Sequence, residues 1–358
     1  MKRVILSSVA AFLAVLLMLS SVAYAAGSPD ESQPVNFETG NTLGIKGKPD
    51  KPPGKPPKGD SSGAATGIVA DPVEGEKYAI IIGISDYPGD GTVLDDPQGM
   101  DLFYCDDDAR TMKDTLDPVD VGAEDYYSYG FAEENIILLL DSDATRDSIL
   151  DAIDAVGAVV DDDDGDDEVV FFFSGHGTIQ SIGGPKGEKS KAGNNVGIIS
   201  WDDDAEDVAV VWDYELQGAF SGDETDRIVY IFDCCNSGGM TELGERENSI
   251  VCMSTTESGV SYEYGQDYID ADYPSIPGLP PVELPGQLIE GQGLFTYFFV
   301  VLGMQYLQAD QTDTDGVVTI EEAFDFARSN LDSISRSSKG QLRQKPTIVD
   351  NFEDDLLL

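Results

Sequence analysis

The sequence predicts an α/β protein built on a mostly parallel central sheet with helices on both faces. Two near-continuous apolar runs, YAIIIGIS (78–85) and EVVFFFS (168–174), are typical of strands that are buried on both sides. Between them, segment 144–160 is amphipathic, with apolar side chains at positions 149, 150, 153 and 156. Because strands that alternate with helices pair in parallel, this pattern indicates a sheet covered on both faces.

The remaining elements continue the same alternation along the chain. Strands are predicted at 135–141, 227–233 and 249–255, and helices at 106–116, 213–220, 293–308 and 319–337, with a loop over 256–292. The segment 293–308 is apolar almost all round, which predicts a buried helix. In sheets of this class the ligand crevice lies beyond the carboxyl ends of the strands, so a functional site is expected there.

The N-terminal 26 residues have the composition of a secretory signal peptide. Lys2 and Arg3 precede an apolar stretch over 4–19, and Ala-Tyr-Ala at 23–25 fits a cleavage site. A retained membrane anchor is the alternative, and no other stretch is long and apolar enough to span a bilayer. The sequence therefore predicts a secreted or otherwise extracytoplasmic protein.

A linker over 27–76 precedes a single domain over 77–358. Five lysines and repeated prolines fill positions 46–58, a composition that forms extended chain rather than a core. The formal net charge of the whole chain is −47, which argues against binding to nucleic acids or anionic membranes. This charge favours basic substrates or bound cations, although a solvated, salt-adapted surface is the simpler explanation and the preferred one.

Cysteine and histidine usage points to a reactive pair at the strand ends. The only histidine, His176, directly follows the strand predicted at 168–174, and Cys235 directly follows the strand at 227–233. Cys234 and Cys235 are adjacent, which is unfavourable geometry for a disulfide between them. An imidazole activates a thiol as a nucleophile and then protonates a leaving amine. The backbone N–H groups of Gly177 and Cys235 are predicted to stabilise the oxyanion of such a reaction.

Four motifs together resemble the caspase-like cysteine peptidases, most closely their metacaspase-type branch. They are YAIIIGISDY (78–87), FFFSGHG (171–177), FDCCNSGG (232–239) and GLFTYFF (293–299), in this order. The resemblance implies the caspase-hemoglobinase-like fold, with His176 as base and general acid and Cys235 as nucleophile. The metacaspase motif reads Asp-Ser-Cys-His-Ser-Gly, whereas here Cys234 fills the serine position and Asn236 replaces the histidine. Cys234 is therefore a rival nucleophile or a redox partner.

The same resemblance implies an acidic pocket that selects arginine or lysine before the cleaved bond. The matching positions are Cys105, Asp108, Ser174 and Asp233. A buried carboxylate needs a cation, which such a substrate side chain supplies. The alternative for Asp108 is that it only caps its helix.

Calcium is the second implication of the resemblance, although the chemistry itself needs no cofactor. Metacaspases often bind it through acidic loops after the histidine and the cysteine. The rough counterparts here are Asp202, Asp203, Asp204, Asp213 and Glu242.

A separate segment, QTDTDGVVTIEE (311–322), resembles an EF-hand loop. Asp313, Asp315, Gly316 and Glu322 stand at its positions three, five, six and twelve. Position one is Gln311, with Asp310 one residue too early, so binding is expected to be weak. A plain acidic turn before a helix is the alternative.

The sequence thus predicts an exported endopeptidase for protein or peptide substrates with Arg or Lys. Self-processing sites would be Lys186, Lys189, Lys191 and Arg246, together with Lys46 and Lys58 in the linker. One alternative is a catalytically inactive relative that binds calcium or a partner at the cell surface. Another keeps the peptidase but changes its preference to Asn or Asp.

Overall fold

The computed structural model describes residues 63–88, 100–117, 127–160, 167–181, 194–202, 207–221, 227–265, 283–284, 287–288, 291–338 and 342–358. The predicted signal peptide, the linker up to residue 62, Asp203, Asp204 and the three lysines at 186, 189 and 191 lie outside these residues. Within the described chain, no helix is both long and apolar enough to cross a membrane.

Six strands form the central sheet. They are β1 (Lys77–Gly83), β2 (Ile136–Leu140), β3 (Glu168–Ser174), β7 (Arg227–Asp233), β8 (Ser249–Met253) and β13 (Thr347–Asp350). Their spatial order is β13-β8-β7-β3-β1-β2, and all neighbours pair in parallel except β13, which is antiparallel to β8. The predicted fold class, a mainly parallel sheet between helices, is confirmed.

Five helices cover the two faces of this sheet. They are α1 (Cys105–Leu116), α2 (Arg146–Gly157), α3 (Asp213–Phe220), α4 (Leu294–Thr296, continuing as a π-helix over Tyr297–Gln305) and α5 (Ile320–Ser337). Alternate strand residues face opposite sides, so Phe172 and Ile231 pack with α1, α4 and α5. Phe171 and Tyr230 pack with α2 and α3. The predicted helix at 293–308 is completely buried between Leu294 and Gln305.

Smaller elements lie outside the central sheet. A three-stranded antiparallel sheet contains β4 (Gly177–Ser181), β5 (Asn194–Trp201) and β6 (Val208–Trp212). Two-stranded pairs join β9 (Glu263–Gly265) to β12 (Gly291–Gly293) and β10 (Glu283–Leu284) to β11 (Gln287–Leu288). Short 3-10 helices lie at Glu133–Asn135, Asp141–Asp143 and Ser237–Glu245. The edge of the central sheet where β3 and β7 end is therefore surrounded by loops and short strands.

Candidate active site

The pairing of β3 with β7 places the histidine and the cysteine next to each other. In this register Ser174 lies opposite Asp233, and each is the last residue of its strand. His176 and Cys235 each follow two residues later, at the same edge of the sheet. Because neighbouring strands lie about 4.8 Å apart, the two residues emerge side by side. The structure thus brings together the pair that the sequence analysis singled out.

The imidazole of His176 is held from two directions by groups that the sequence analysis did not identify. Its Nε2 lies 2.5 Å from the carbonyl oxygen of Met100. The backbone N–H of His176 donates to the hydroxyl of Tyr87 at 2.8 Å, and the imidazole packs against the Tyr87 ring with 4.8 Å between the two centroids. A carbonyl oxygen only accepts, so Nε2 carries the proton and leaves Nδ1 as the basic atom. Burial lowers the pKa of His176, so the neutral form is favoured.

Cys235 is the accessible member of the adjacent thiols. It is half-buried, whereas Cys234 is 1% exposed and lies in the core that covers the α2 and α3 face. Burial raises the pKa of the Cys235 thiol, which therefore needs a base to become a nucleophile. Asn236 follows in the left-handed conformation (φ 61°), which asparagine tolerates better than most residues.

The loops after β3 and β7 touch through Gly177. A Cβ atom at this position would overlap the carbonyl oxygen of Cys235 and lie 3.1 Å from Sγ of Cys234, so no larger residue fits. The antiparallel pairing of β4 with β5 begins at Gly177 and Ile198, and Ile199 N–H donates to His176 O at 2.9 Å just before it. Hydrogen-bonded and non-hydrogen-bonded residue pairs alternate along an antiparallel ladder, so the N–H of Gly177 points away from β5. The predicted oxyanion role of Gly177 and Cys235 stays a prediction.

Two buried carboxylates meet directly beside this pair. Asp108 on α1 is fully buried, and its carboxylate accepts from the hydroxyl of Ser174 at 2.7 Å and from Gly293 N–H at 2.9 Å. Asp233 is 4% exposed and accepts from Ser261 Oγ at 2.5 Å and from Thr296 N–H at 2.9 Å. A Cβ atom on Gly293 would meet carboxylate oxygens of both aspartates, which places them on either side of one glycine.

A third carboxylate, Glu263 on β9, completes the acidic group and was missed by the sequence analysis. It accepts from the N–H groups of Phe103 and Tyr104 at 3.1 and 2.9 Å, and from the Cys105 thiol at 3.4 Å. Unlike Asp108 and Asp233, it is partly exposed. The predicted pocket residues Cys105, Asp108, Ser174 and Asp233 therefore lie together, with Glu263 at their accessible side.

No positive charge neutralises this acidic group within the described residues. Its hydrogen-bond donors are neutral hydroxyl, thiol and backbone groups, and none of its three carboxylates forms an ion pair there. Burial, followed by the charge of Asp233, raises the pKa of Asp108 well above its ordinary value. Burial also raises the pKa values of Asp233 and Glu263. These three carboxyl groups are therefore protonated more easily than exposed ones.

A model of one protein family covers most of the chain. It is the model described as caspase domain, and it matches residues 76–356. The chain belongs to this family of cysteine peptidases. The comparison with curated proteins gives no match. Membership of the caspase-domain family confirms the resemblance drawn from the four motifs and implies protein substrates.

The predicted calcium ligands around the active site of the caspase domain do not gather into a metal-binding group in the described residues. Asp213 is buried, and its two oxygens accept from Val196 N–H at 3.2 Å and from Tyr214 N–H at 2.9 Å. Glu242 is exposed and Asp202 is partly buried. Only Asp310, Asp313 and Glu322 form such a group in the described chain, and Asp315 lies outside it.

The burial difference between the thiols predicts selective labelling of the caspase domain. Iodoacetamide should modify Cys235 at least about tenfold faster than Cys105, Cys234 or Cys252, because buried thiols are inert. Peptide mass spectrometry after brief exposure of the native protein measures this selectivity. Protein labelled in denaturant is the control, in which all four thiols should react. Equal or faster labelling of Cys234 in the native protein would make Cys234 the reactive thiol.

Proposed function

We propose that this chain is an exported cysteine endopeptidase that cleaves after arginine or lysine, with His176 and Cys235 as its catalytic pair. The observation that carries the proposal is the acidic group of Asp108, Asp233 and Glu263 beside that pair, with neutral hydrogen-bond donors only. Export rests on the signal-like composition of residues 1–26.

The proposed chemistry follows from the protonation of the two catalytic side chains. The neutral imidazole holds its proton on Nε2 through the Met100 carbonyl, so Nδ1 is free to take the thiol proton of Cys235. Sγ attacks the substrate carbonyl carbon, and the N–H groups of Gly177 and Cys235 stabilise the oxyanion. His176 then gives its proton to the leaving amine, which frees the first product. Water, deprotonated by His176, hydrolyses the thioester and restores the thiol.

The preference for basic residues is an electrostatic consequence of the acidic group. A buried carboxylate without a counter-charge is unfavourable, and an arginine or lysine side chain in the pocket would remove this cost. Arginine also offers five N–H donors, which match carboxylate oxygens in pairs. An aspartate side chain of the substrate would instead be repelled by these carboxylates, and a neutral asparagine side chain would leave their charges unneutralised.

Calcium has no assigned step in this reaction. The described ligands near the active site do not converge on one group. The alternative of an inactive relative that binds calcium or a partner is decided by whether Cys235 reacts with a peptide-based thiol inhibitor.

Hydrolysis of reporter peptides tests this proposal. Arginyl and lysyl peptides should be cleaved at least about 100-fold faster than asparaginyl and aspartyl peptides, because about 3 kcal/mol of charge complementarity corresponds to that ratio. The variant Cys235→Ala should be inactive. Asp108→Asn should lower kcat/KM for the arginyl peptide by about 10- to 100-fold. The control Asp154→Asn, an exposed residue of α2, should match the wild type.

Two outcomes would overturn parts of this proposal. Faster cleavage of asparaginyl or aspartyl peptides would refute the role of the acidic group while keeping the peptidase. Failure to cleave any peptide, together with no reaction of Cys235 with the thiol inhibitor, would favour the inactive relative.

Self-processing is a separate prediction of the same specificity. Purified wild-type protein should contain fragments that end at Lys186, Lys189, Lys191 or Arg246, and the Cys235→Ala protein should stay intact. Arg246 is half-buried, and its guanidinium donates to the carbonyl of Phe220 at 3.1 Å, so it should be cut last. Mass spectrometry of the purified chains gives the fragment ends. Wild-type protein that is active and uncleaved would refute this prediction.

A further inference from the structure

The loop between α4 and α5 brings three carboxylates together far along the chain from the catalytic pair. Ligand oxygens of Asp310, Asp313 and Glu322 all lie within 4.8 Å of one another. None of the three forms an ion pair with a described lysine or arginine, and the nearby Arg328 instead pairs with Asp325 at 2.6 Å. Three mutually repelling charges at this distance are unfavourable unless a cation joins them.

One oxygen of this group is orphaned inside the protein. Oδ2 of Asp310 accepts from Gly316 N–H at 3.0 Å, but Oδ1 is buried and has no hydrogen-bond donor among the described residues. Buried charged oxygens are nearly always satisfied by a donor or an ion, because an unsatisfied one is costly. Because this Oδ1 atom belongs to Asp310, a member of the carboxylate group, it indicates a cation that binds there. A turn that satisfied its own hydrogen bonds would leave no such oxygen.

A second orphaned oxygen lies on the neighbouring segment. Tyr129 is 2% exposed, and its hydroxyl has no hydrogen-bond partner in the part of the chain that the structure describes. Burial, and then the charges of Tyr127 and Glu322, raise the pKa of Tyr129. Its hydroxyl is therefore within electrostatic reach of Glu322.

We propose that Asp310, Asp313 and Glu322 bind one calcium ion. Calcium binds carboxylate oxygens at about 2.3–2.6 Å, so two of its ligands lie up to about 5 Å apart, which agrees with the observed grouping. Magnesium usually takes only one or two protein carboxylates and keeps several waters. The ligand set differs from the register read from the sequence, because Asp310 takes the first place. Asp315 is used elsewhere, accepting from Val317 N–H at 3.0 Å.

This calcium site lies against the segment that leads into the domain from the N-terminal side. Gly67 lies on the loop, since a Cβ atom there would be 3.2 Å from Cγ2 of Thr312 and 3.9 Å from Cβ of Asp313. The same segment is fastened by Asp355, which accepts from Thr66 N–H at 2.8 Å and from Gly67 N–H at 2.6 Å. Ala65 N–H donates to Asp325 on α5 at 3.1 Å.

Calcium binding should therefore fasten residues 63–70 to the domain. An ion that holds Asp310 and Asp313 in place fixes the loop surface on which Gly67 lies. The proposal does not depend on peptidase activity, because every residue in it lies outside the catalytic site.

Calorimetric titration of the full exported chain carrying Cys235→Ala, which prevents self-cleavage, tests the site. One calcium ion should bind with a dissociation constant between about 10⁻⁵ and 10⁻³ M, the range of weaker EF-hand loops. Asp310→Asn and Asp313→Asn should each weaken binding at least about tenfold. Asp313 is exposed, so its variant should fold normally. Hydrogen exchange at the amides of residues 65–67 should slow on calcium addition and should not slow in Asp310→Asn.

Matched controls separate this site from loose cation binding to a chain with a net charge of −47. Asp332→Asn, on α5 but outside the group, should bind calcium as the parent does, and magnesium should bind at least about tenfold more weakly. The calcium site would be refuted by the absence of saturable binding up to about 10 mM calcium, or by equal losses in the Asp332 and Asp310 variants. Saturable binding without any change in exchange at residues 65–67 would refute the fastening of the N-terminal segment.

Discussion

The register between β3 and β7 is the constraint on which the rest of the site depends. Ser174 lies opposite Asp233, so one ladder of backbone hydrogen bonds sets both the His176–Cys235 pair and the two pocket residues beneath it. A shift of one residue would turn every side chain of a strand to the other face of the sheet. The aromatic residues of β3 fill both faces of the core and make such a shift costly. The proposed reactivity and the proposed substrate preference thus depend on the same strand pairing.

Two carboxylates of the acidic group beside the His176–Cys235 pair, those of Asp108 and Asp233, are buried next to each other. Buried Glu168, by contrast, has Lys77 at 3.9 Å. In the described part of the chain, Asp108 and Asp233 are as deeply buried as Glu168 but have only neutral hydrogen-bond donors. In our proposal, the basic side chain of a substrate supplies the missing positive charge. The same reasoning applies to the loop of Asp310, where an unsatisfied oxygen accompanies the carboxylates.

The parts of the site that could be predicted are those that depend on strand ends. Apolar runs locate β3 and β7, and the rule for parallel sheets then places the following residues together. Met100 could not be found in this way, because it contributes a backbone carbonyl that any residue supplies. Glu263 lies in a stretch without periodicity, predicted only as loop, and reaches the pocket through its pairing with β12. In the sequence, Asp310 stands one residue before the first position of an EF-hand loop. Spacing alone does not show that Thr314 (φ 58°) and Gly316 (φ 95°) adopt left-handed conformations that reverse the direction of the loop.

The pH dependence of Cys235 alkylation tests most directly whether His176 and Cys235 act as a pair. The pKa of His176 lies below the usual histidine value of about 6.5. Above its pKa the neutral imidazole accepts the thiol proton, and it loses this ability as the pH falls through that pKa. Wild-type protein should therefore show an inflection in the alkylation rate below about pH 6.5. The variant His176→Gln should lack this inflection. It should react appreciably only in alkaline solution, where the half-buried Cys235 thiol ionises without a base. Identical profiles for the two proteins would contradict the account.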